Sequence, residues 1–244
     1  MIQVGIVAAL AREARALAPE SGAADRRDAS IHPLADAMLA VSGMGWEAAA
    51  SAARRLIQAG ATALASVGTA GALAPGLQSG AIMLPEEVVA LETAAFPTNA
   101  RWWEALAGAL PRGQVYAGRL LTSRQPLGLR LDKAIARRET ACVAVDMESA
   151  AIAAIAAEAG LPFIAVRVIV DTASEDLPHA VLAASGKGQV AIGRLLSGLV
   201  CAPWEIGSLI RLARRFRTAC DVLTGIGEPG MPARRALTEA GATD

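Results

Sequence analysis

The 244-residue chain has little of what metal and redox chemistry most often uses: two histidines and three cysteines. His32 and His179 stand in no ligand-spaced cluster, so no metal site is expected, and both read as ordinary surface or core histidines. Cys142, Cys201 and Cys220 are odd in number and lack C-x-x-C spacing, which argues against a disulfide framework and for a reduced, cytoplasmic setting. No uncharged apolar run reaches the roughly 18 residues that a membrane-spanning helix needs. A G-x-S-x-G nucleophile elbow is missing, and serine-hydrolase chemistry with it. Net charge is absent too, with 23 basic and 23 acidic residues, so nothing draws the chain to nucleic acid. No internal repeat is present. A small-molecule partner is the expectation these absences leave.

What is present is apolar: 54% hydrophobic residues against 19% charged, which argues against intrinsic disorder. Apolar runs at Ile2–Val7, Met38–Val41, Leu64–Val67, Val115–Leu121 and Phe163–Asp171, the last ending in its carboxylate, read as strands, and Ala81–Leu84 is short and apolar. Helical stretches alternate with them at Leu10–Leu17, Trp46–Ala59, Leu129–Arg138, Ser149–Gly160 and from about Pro178 to Val200. The polar segment 20–36 reads as an outer hairpin or loop. Residues 92–112, with Pro97, Pro111 and the Trp102-Trp103 pair, read as an excursion over the surface or the site. The alternation predicts an α/β fold of three layers, α/β/α, around a central, mostly parallel (mixed) sheet. Residues 1–224 are expected to form a single catalytic domain, and the Gly/Pro-rich 225–244 a mobile tail.

The stretch Ala144–Asp171 concentrates the chemistry. Arg167 sits in a strand apolar enough to be buried on both faces, where a charge costs several kcal/mol unless a carboxylate or ligand meets it. Ligands of open α/β sheets bind beyond the carboxyl ends of strands, which puts Glu148 and Asp171 at one mouth. Asp146 and Glu148, two apart, share a face on a strand end. Each of these carboxylates also reads as a helix cap. Glu13 follows the first strand and reads either as a cleft residue or as part of a solvated helix face. Gly68-Thr69-Ala70-Gly71 reads as a tight turn, with or without a ligand on its N–H groups. Ser42-Gly43-Met44-Gly45 opens a G-x-G-x-x-A pattern, but after Glu47 the next acid is Glu86, far beyond the about 20 positions at which a dinucleotide site holds its ribose. A glycine turn with backbone close to a ligand at Gly45 stays open.

Val145-Asp146-Met147-Glu148-Ser149-Ala150-Ala151 resembles the V-E-M-E-x-x-A signature of the nucleoside phosphorylase and nucleosidase superfamily. Arg167–Asp171 resembles its R-x-I-S-D strand, Gly68–Leu73 its G-S-A-G-x-L turn, and Gly5–Glu13 the opening strand and glutamate of the methylthioadenosine nucleosidase branch. The arginine-rich ending from Pro203-Trp204-Glu205 to Arg217 looks most like that of the hopanoid-associated phosphorylase group within the superfamily, whose members are thought to remove adenine from adenosylhopane. The resemblance implies a nucleoside substrate, no cofactor, phosphate as an open alternative co-substrate, and a homo-oligomer, a dimer first. It implies that Asp171 donates a proton to purine N7 and that Glu148 holds the ribose 2′-hydroxyl. Met147 would pack on the sugar, Glu13 activate water, Arg167 steady the carboxylates or the nucleophile, and Thr69 supply the hydroxyl of the usual serine. The chain departs from the pattern at Val170, where the family has serine, at Asp146, where it has glutamate, and at Thr122–Leu127, which lacks the expected base-stacking phenylalanine.

Near the C-terminus Leu209, Leu212, Phe216, Cys220 and Leu223 form one helical stripe beside Arg211, Arg214, Arg215 and Arg217. It reads as packing on the core or a partner subunit, or as a helix lying peripherally on an anionic membrane.

Overall fold

One strand, β4 (Ala63–Ala72), joins the two halves of the sheet in the computed structural model, which describes residues 3–21, 31–90, 94–111, 113–184 and 206–239. On one edge its first half pairs in parallel with β1 (Val4–Ala8), and its end pairs antiparallel with β10 (Ala144–Asp146). On the other edge β11 (Phe163–Asp171) runs parallel along nearly its full length. Beyond β1 lie β3 (Ala37–Val41) and the hairpin strand β2 (Ile31–Pro33). Beyond β10 lie β9 (Arg119–Thr122), β6 (Glu87–Ala90) and β7 (Ala94–Pro97). Outside β11 come β5 (Ile82–Met83) and β8 (Val115–Tyr116).

Alternation along these strands sends neighbouring side chains to opposite faces. Phe163, Ala165 and Ile169 of β11 pack with α2 (Trp46–Gln58) and the alanine-rich α5 (Ser149–Glu158). Ile164, Val166, Val168 and Val170 pack toward α1 (Ala11–Leu17), α3 (Ala100–Ala109), α7 (Ile206–Gly227) and α8 (Pro232–Glu239). The mixed α/β/α layering expected from the sequence is the one found. Two further helices, α4 (Arg130–Thr140) and α6 (His179–Ala184), lie near the sheet's mouth. The rest of the helix expected up to Val200, with Cys201, lies outside the described residues.

Several expectations need correcting. Gly68–Gly71 is no turn, since β4 runs straight through it to Ala72, bonded on both edges. The described part of the segment, 94–111, forms a strand and a helix rather than an excursion over the surface. Pro97 ends β7, the Asn99 side chain caps α3 by accepting from the Trp102 N–H at 2.9 Å, and Pro111 follows the helix end. Trp102 is wholly buried, its indole N–H donating to the Ala236 carbonyl at 3.0 Å. Val115–Leu121 divides into β8 and β9 around Gly118, whose φ of 123° breaks the strand.

The tail expected to be mobile is folded through residue 239. Arg234 of α8 is buried and forks onto Asp36 at 2.9 and 2.6 Å, with further bonds to the Leu17 and Gly227 carbonyls. Pro229 and Gly230 mark the short Glu228–Met231 connection, while Gly225 and Gly227 lie within α7 and Pro232 opens α8. The C-terminal stripe is likewise turned inward. Leu223 is fully buried, and Leu212 and Phe216 pack against the core. Ile206 and Ile210, at the start of α7, are its exposed large apolar side chains.

Candidate active site

A cavity of about 260 Å³ opens where β1, β4, β10 and β11 end. Its walls include Glu13, Thr69, Asp146, Met147, Glu148 and Asp171, so six sequence-predicted site residues meet there. A larger cleft of about 570 Å³ lies beside it, between Leu73–Gln78 and α4. None of the three candidate catalytic carboxyl groups lines that cleft, so size does not select the site.

Glu13 arrives on the first turn of α1 and is buried. Its Oε2 accepts the Leu10 N–H at 3.0 Å, closing the helix start, while Oε1 accepts the Thr69 N–H at 2.9 Å and the Thr69 hydroxyl at 2.6 Å. Of the four lone-pair directions of a carboxylate, three are taken and one is left to receive a proton. Thr69 therefore spends its hydroxyl on Glu13. The glycines around it serve close approach. A Cβ at Gly68 would stand 3.1 Å from Arg167 Nη1 and from Glu13 Oε2, and one at Gly71 would stand 3.1 Å from Asp171 Oδ2.

Glu148 ends the short turn between β10 and α5. Its Oε1 accepts the Gly45 N–H at 2.7 Å and Oε2 the Met147 N–H at 3.3 Å, so the glycine turn before α2 serves a carboxylate. Burial, reinforced by the negative charge of Asp146 and opposed by Arg167, pushes the Glu148 carboxyl up to about 7.

Arg167 is answered within the protein. Its guanidinium reaches Asp146 Oδ2 at 2.8 Å and the hydroxyls of Ser66 and Ser149 at 2.7 and 2.9 Å. Asp146 also accepts the Thr122 hydroxyl at 2.7 Å and, at 3.1 Å, the N–H of Ser149, the first residue of α5. The pair forms a buried brace under the site, and Arg167 itself does not line the cavity.

Asp171 owes its aim to a bulge. Ile169 faces Ala70 and Asp171 faces Gly71, so Val170 is the extra residue on β11. Burial raises the Asp171 carboxyl above its ordinary value, against the lowering effect of Lys133. Lys133, from α4, is fully buried and donates to Asp171 Oδ2 at 2.5 Å. Sequence reasoning missed it. The one available signal was a lysine three residues before Ala136, on the helix face that turns inward.

The apolar lining was also not foreseen. Leu10, Leu127, Leu177 and Val181 contribute to it, and Leu212 and Phe216 arrive from the C-terminal helix. Phe216 is the aromatic among the described lining residues; Gln125, Pro126 and Leu127 occupy the region where the resemblance led us to expect a phenylalanine. Among the described residues no three His, Cys, Asp or Glu side chains gather to hold a metal ion.

Comparison with known proteins agrees with this architecture. The structure of a 5′-methylthioadenosine/S-adenosylhomocysteine nucleosidase from S. pneumoniae superposes with a TM-score of 0.63 at 18% identity, covering 91% of this chain and 100% of that one. The corresponding nucleosidase from Neisseria meningitidis gives 0.64 at 20% identity over 92% and 99%. A futalosine hydrolase mutant from Helicobacter pylori gives 0.58 at 20% identity over 69% and 90%. No curated protein matches the sequence. Residues 3–200 match the family model described as the phosphorylase superfamily, and to that family the chain belongs.

Proposed function

We propose that the protein cleaves the N-glycosidic bond of a purine nucleoside carrying an apolar group at the 5′ carbon, releases adenine, and uses water as the nucleophile. One observation carries the reading: Glu13, Glu148 and Asp171, from three separate elements, converge on one cavity whose remaining lining is largely apolar. In the reaction Asp171 gives its proton to purine N7, so the electron pair of the C1′–N9 bond can leave with a neutral base. Glu148 grips the ribose 2′-hydroxyl as the sugar becomes oxocarbenium-like, and Met147 packs on it. Glu13 takes the proton from the water that attacks C1′. No cationic side chain lines the cavity among the described residues, which favours water over phosphate. Arg12 and Arg15 are exposed, and Ser66 is occupied by Arg167.

Adenosylhopane, in hopanoid synthesis, is the substrate we assign, supported by the family resemblance and by the apolar wall of Leu177, Val181, Leu212 and Phe216. So apolar a substrate is drawn from a bilayer, and exposed Ile206 and Ile210 beside Arg211 and Arg214 form the contact we assign to that step. A homodimer belongs to the same proposal, supported by the exposed Leu131 and Ile135 of α4. The test is chromatography of the products from 5′-methylthioadenosine, 5′-alkyl adenosines and adenosylhopane, with and without phosphate and with Asp171→Asn as control. Free adenine from the wild type alone, independent of phosphate, is expected. Nucleosides bound but never cleaved would make the protein a silent binder.

A further inference from the structure

Asp171 lacks the serine that the family pattern places before it, and Val170 offers it no hydrogen bond. What holds it comes from another element. Lys133 Nζ donates to Asp171 Oδ2 at 2.5 Å, to the Thr172 carbonyl at 2.9 Å and to the Glu175 carbonyl at 3.1 Å. Three acceptors match the three N–H bonds of an ammonium group and leave none unused. A lysine with no solvent exposure is rare unless it is paired, and here the partner is the acid of the reaction. The loop carrying two of those acceptors is itself anchored, because both Glu175 carboxylate oxygens receive the Arg215 guanidinium of α7.

We propose that Lys133 is the positioning residue of the general acid: it pins Asp171 Oδ2, leaves Oδ1 to carry the proton to the base, and holds the carboxylate that remains. The inference rests on the glycosidase reading. In the step, the Oδ1–H bond breaks as the N7–H bond forms, and the C1′–N9 electrons pass into the purine. The negative charge left on Asp171 lies against an ammonium already in place, so no charge has to move toward it at the moment of reaction. The other charged groups around Asp171 are Glu175, which opposes its ionisation, Asp176, and Arg211 and Arg215 of α7, with Glu13, Asp146 and Glu148 on the shared cavity wall. Glu175 and Arg215 are paired with each other, which leaves Lys133 as the cation in direct contact.

Two variants separate contact from charge. Lys133→Gln keeps a donor for Asp171 without the charge, and Lys133→Met removes both. The direct readout needs no turnover: aspartate carboxyl carbons labelled with 13C are titrated by NMR, and Asp171 is assigned from the signal lost in Asp171→Asn. Its midpoint should rise by about one pH unit or more in either variant, the scale for losing an opposite charge at contact distance. With 5′-methylthioadenosine as probe, kcat should fall about 10²-fold in Lys133→Met and less in Lys133→Gln, with KM nearly unchanged. The limb of the kcat/KM profile that reports loss of the Asp171 proton should move to higher pH. An Asp171 midpoint that is the same in wild type and variants overturns the inference, whatever the activity. A wild type that releases no adenine, with the NMR shift present, would instead fail the glycosidase reading and leave the pairing intact.

Discussion

Glu148→Gln should make the protein more stable and almost inactive at the same time. In the folded state the Glu148 carboxyl rises from 4.5 to about 7, which at ~1.4 kcal/mol per pH unit is ~3 kcal/mol of resistance to ionisation. The sign follows from proton counting. Between pH 4.5 and 7 the unfolded chain loses this proton while the folded one keeps it, so stability is full below 4.5 and drains away as pH rises toward 7. Above pH 7 the folded protein carries the whole cost. Glutamine removes the charge and still accepts the Gly45 N–H through its amide oxygen, though it leaves the Met147 N–H less well served. The net gain at pH 8 is about 1–3 kcal/mol, a rise of roughly 2–12 °C in Tm for a chain of this size. At pH 4.5 the difference should vanish. Over the same range kcat/KM should fall about 10²-fold, because an amide accepts the ribose hydroxyl less strongly than a carboxylate. Calorimetry at pH 4.5 and 8 alongside adenine release decides the matter. A Tm that falls at pH 8 would mean that the carboxylate stabilises the start of α5, and the active-site assignment would be refuted.

Phe216→Ala should raise KM for a 5′-alkyl adenosine about tenfold and hardly affect adenosine itself, as steady-state kinetics with both substrates will show; equal effects would remove Phe216 from the 5′ wall. Arg234→Ala should cost ~2 kcal/mol by urea unfolding, since it strands the Leu17 and Gly227 carbonyls, while half-exposed Asp36 recovers water. A loss under about 0.5 kcal/mol, the scatter of surface substitutions, would mean that Arg234 does not anchor α8. The wild type should float with anionic liposomes and the Ile206→Asp/Ile210→Asp variant should not; equal, negligible flotation of both would end the membrane assignment.

Local pattern determined a good deal. Apolar runs of strand length alternate with alanine-rich helical runs, so the layers follow from burial alone, and a charge at the end of a fully apolar strand is conspicuous in one dimension. That is why Glu148, Asp171 and the buried need of Arg167 could be read from residues 144–171. The motifs are equally local, each lying within one turn or strand end. What the chain alone did not disclose depends on residues far apart in it. Lys133 stands 38 positions from Asp171, and on its own helix it is one basic residue among several. Arg234 stands 198 positions from Asp36, so its glycine- and proline-flanked segment passes for a tail. The apolar stripe of α7 carried the right burial signal but no address, because hydrophobicity has no direction until another surface meets it. Only the folded sheet showed that Leu212 and Phe216 close the cavity, that one extra residue at Val170 aims Asp171, and that Gly68 and Gly71 are small because carboxylates fill the space beside them.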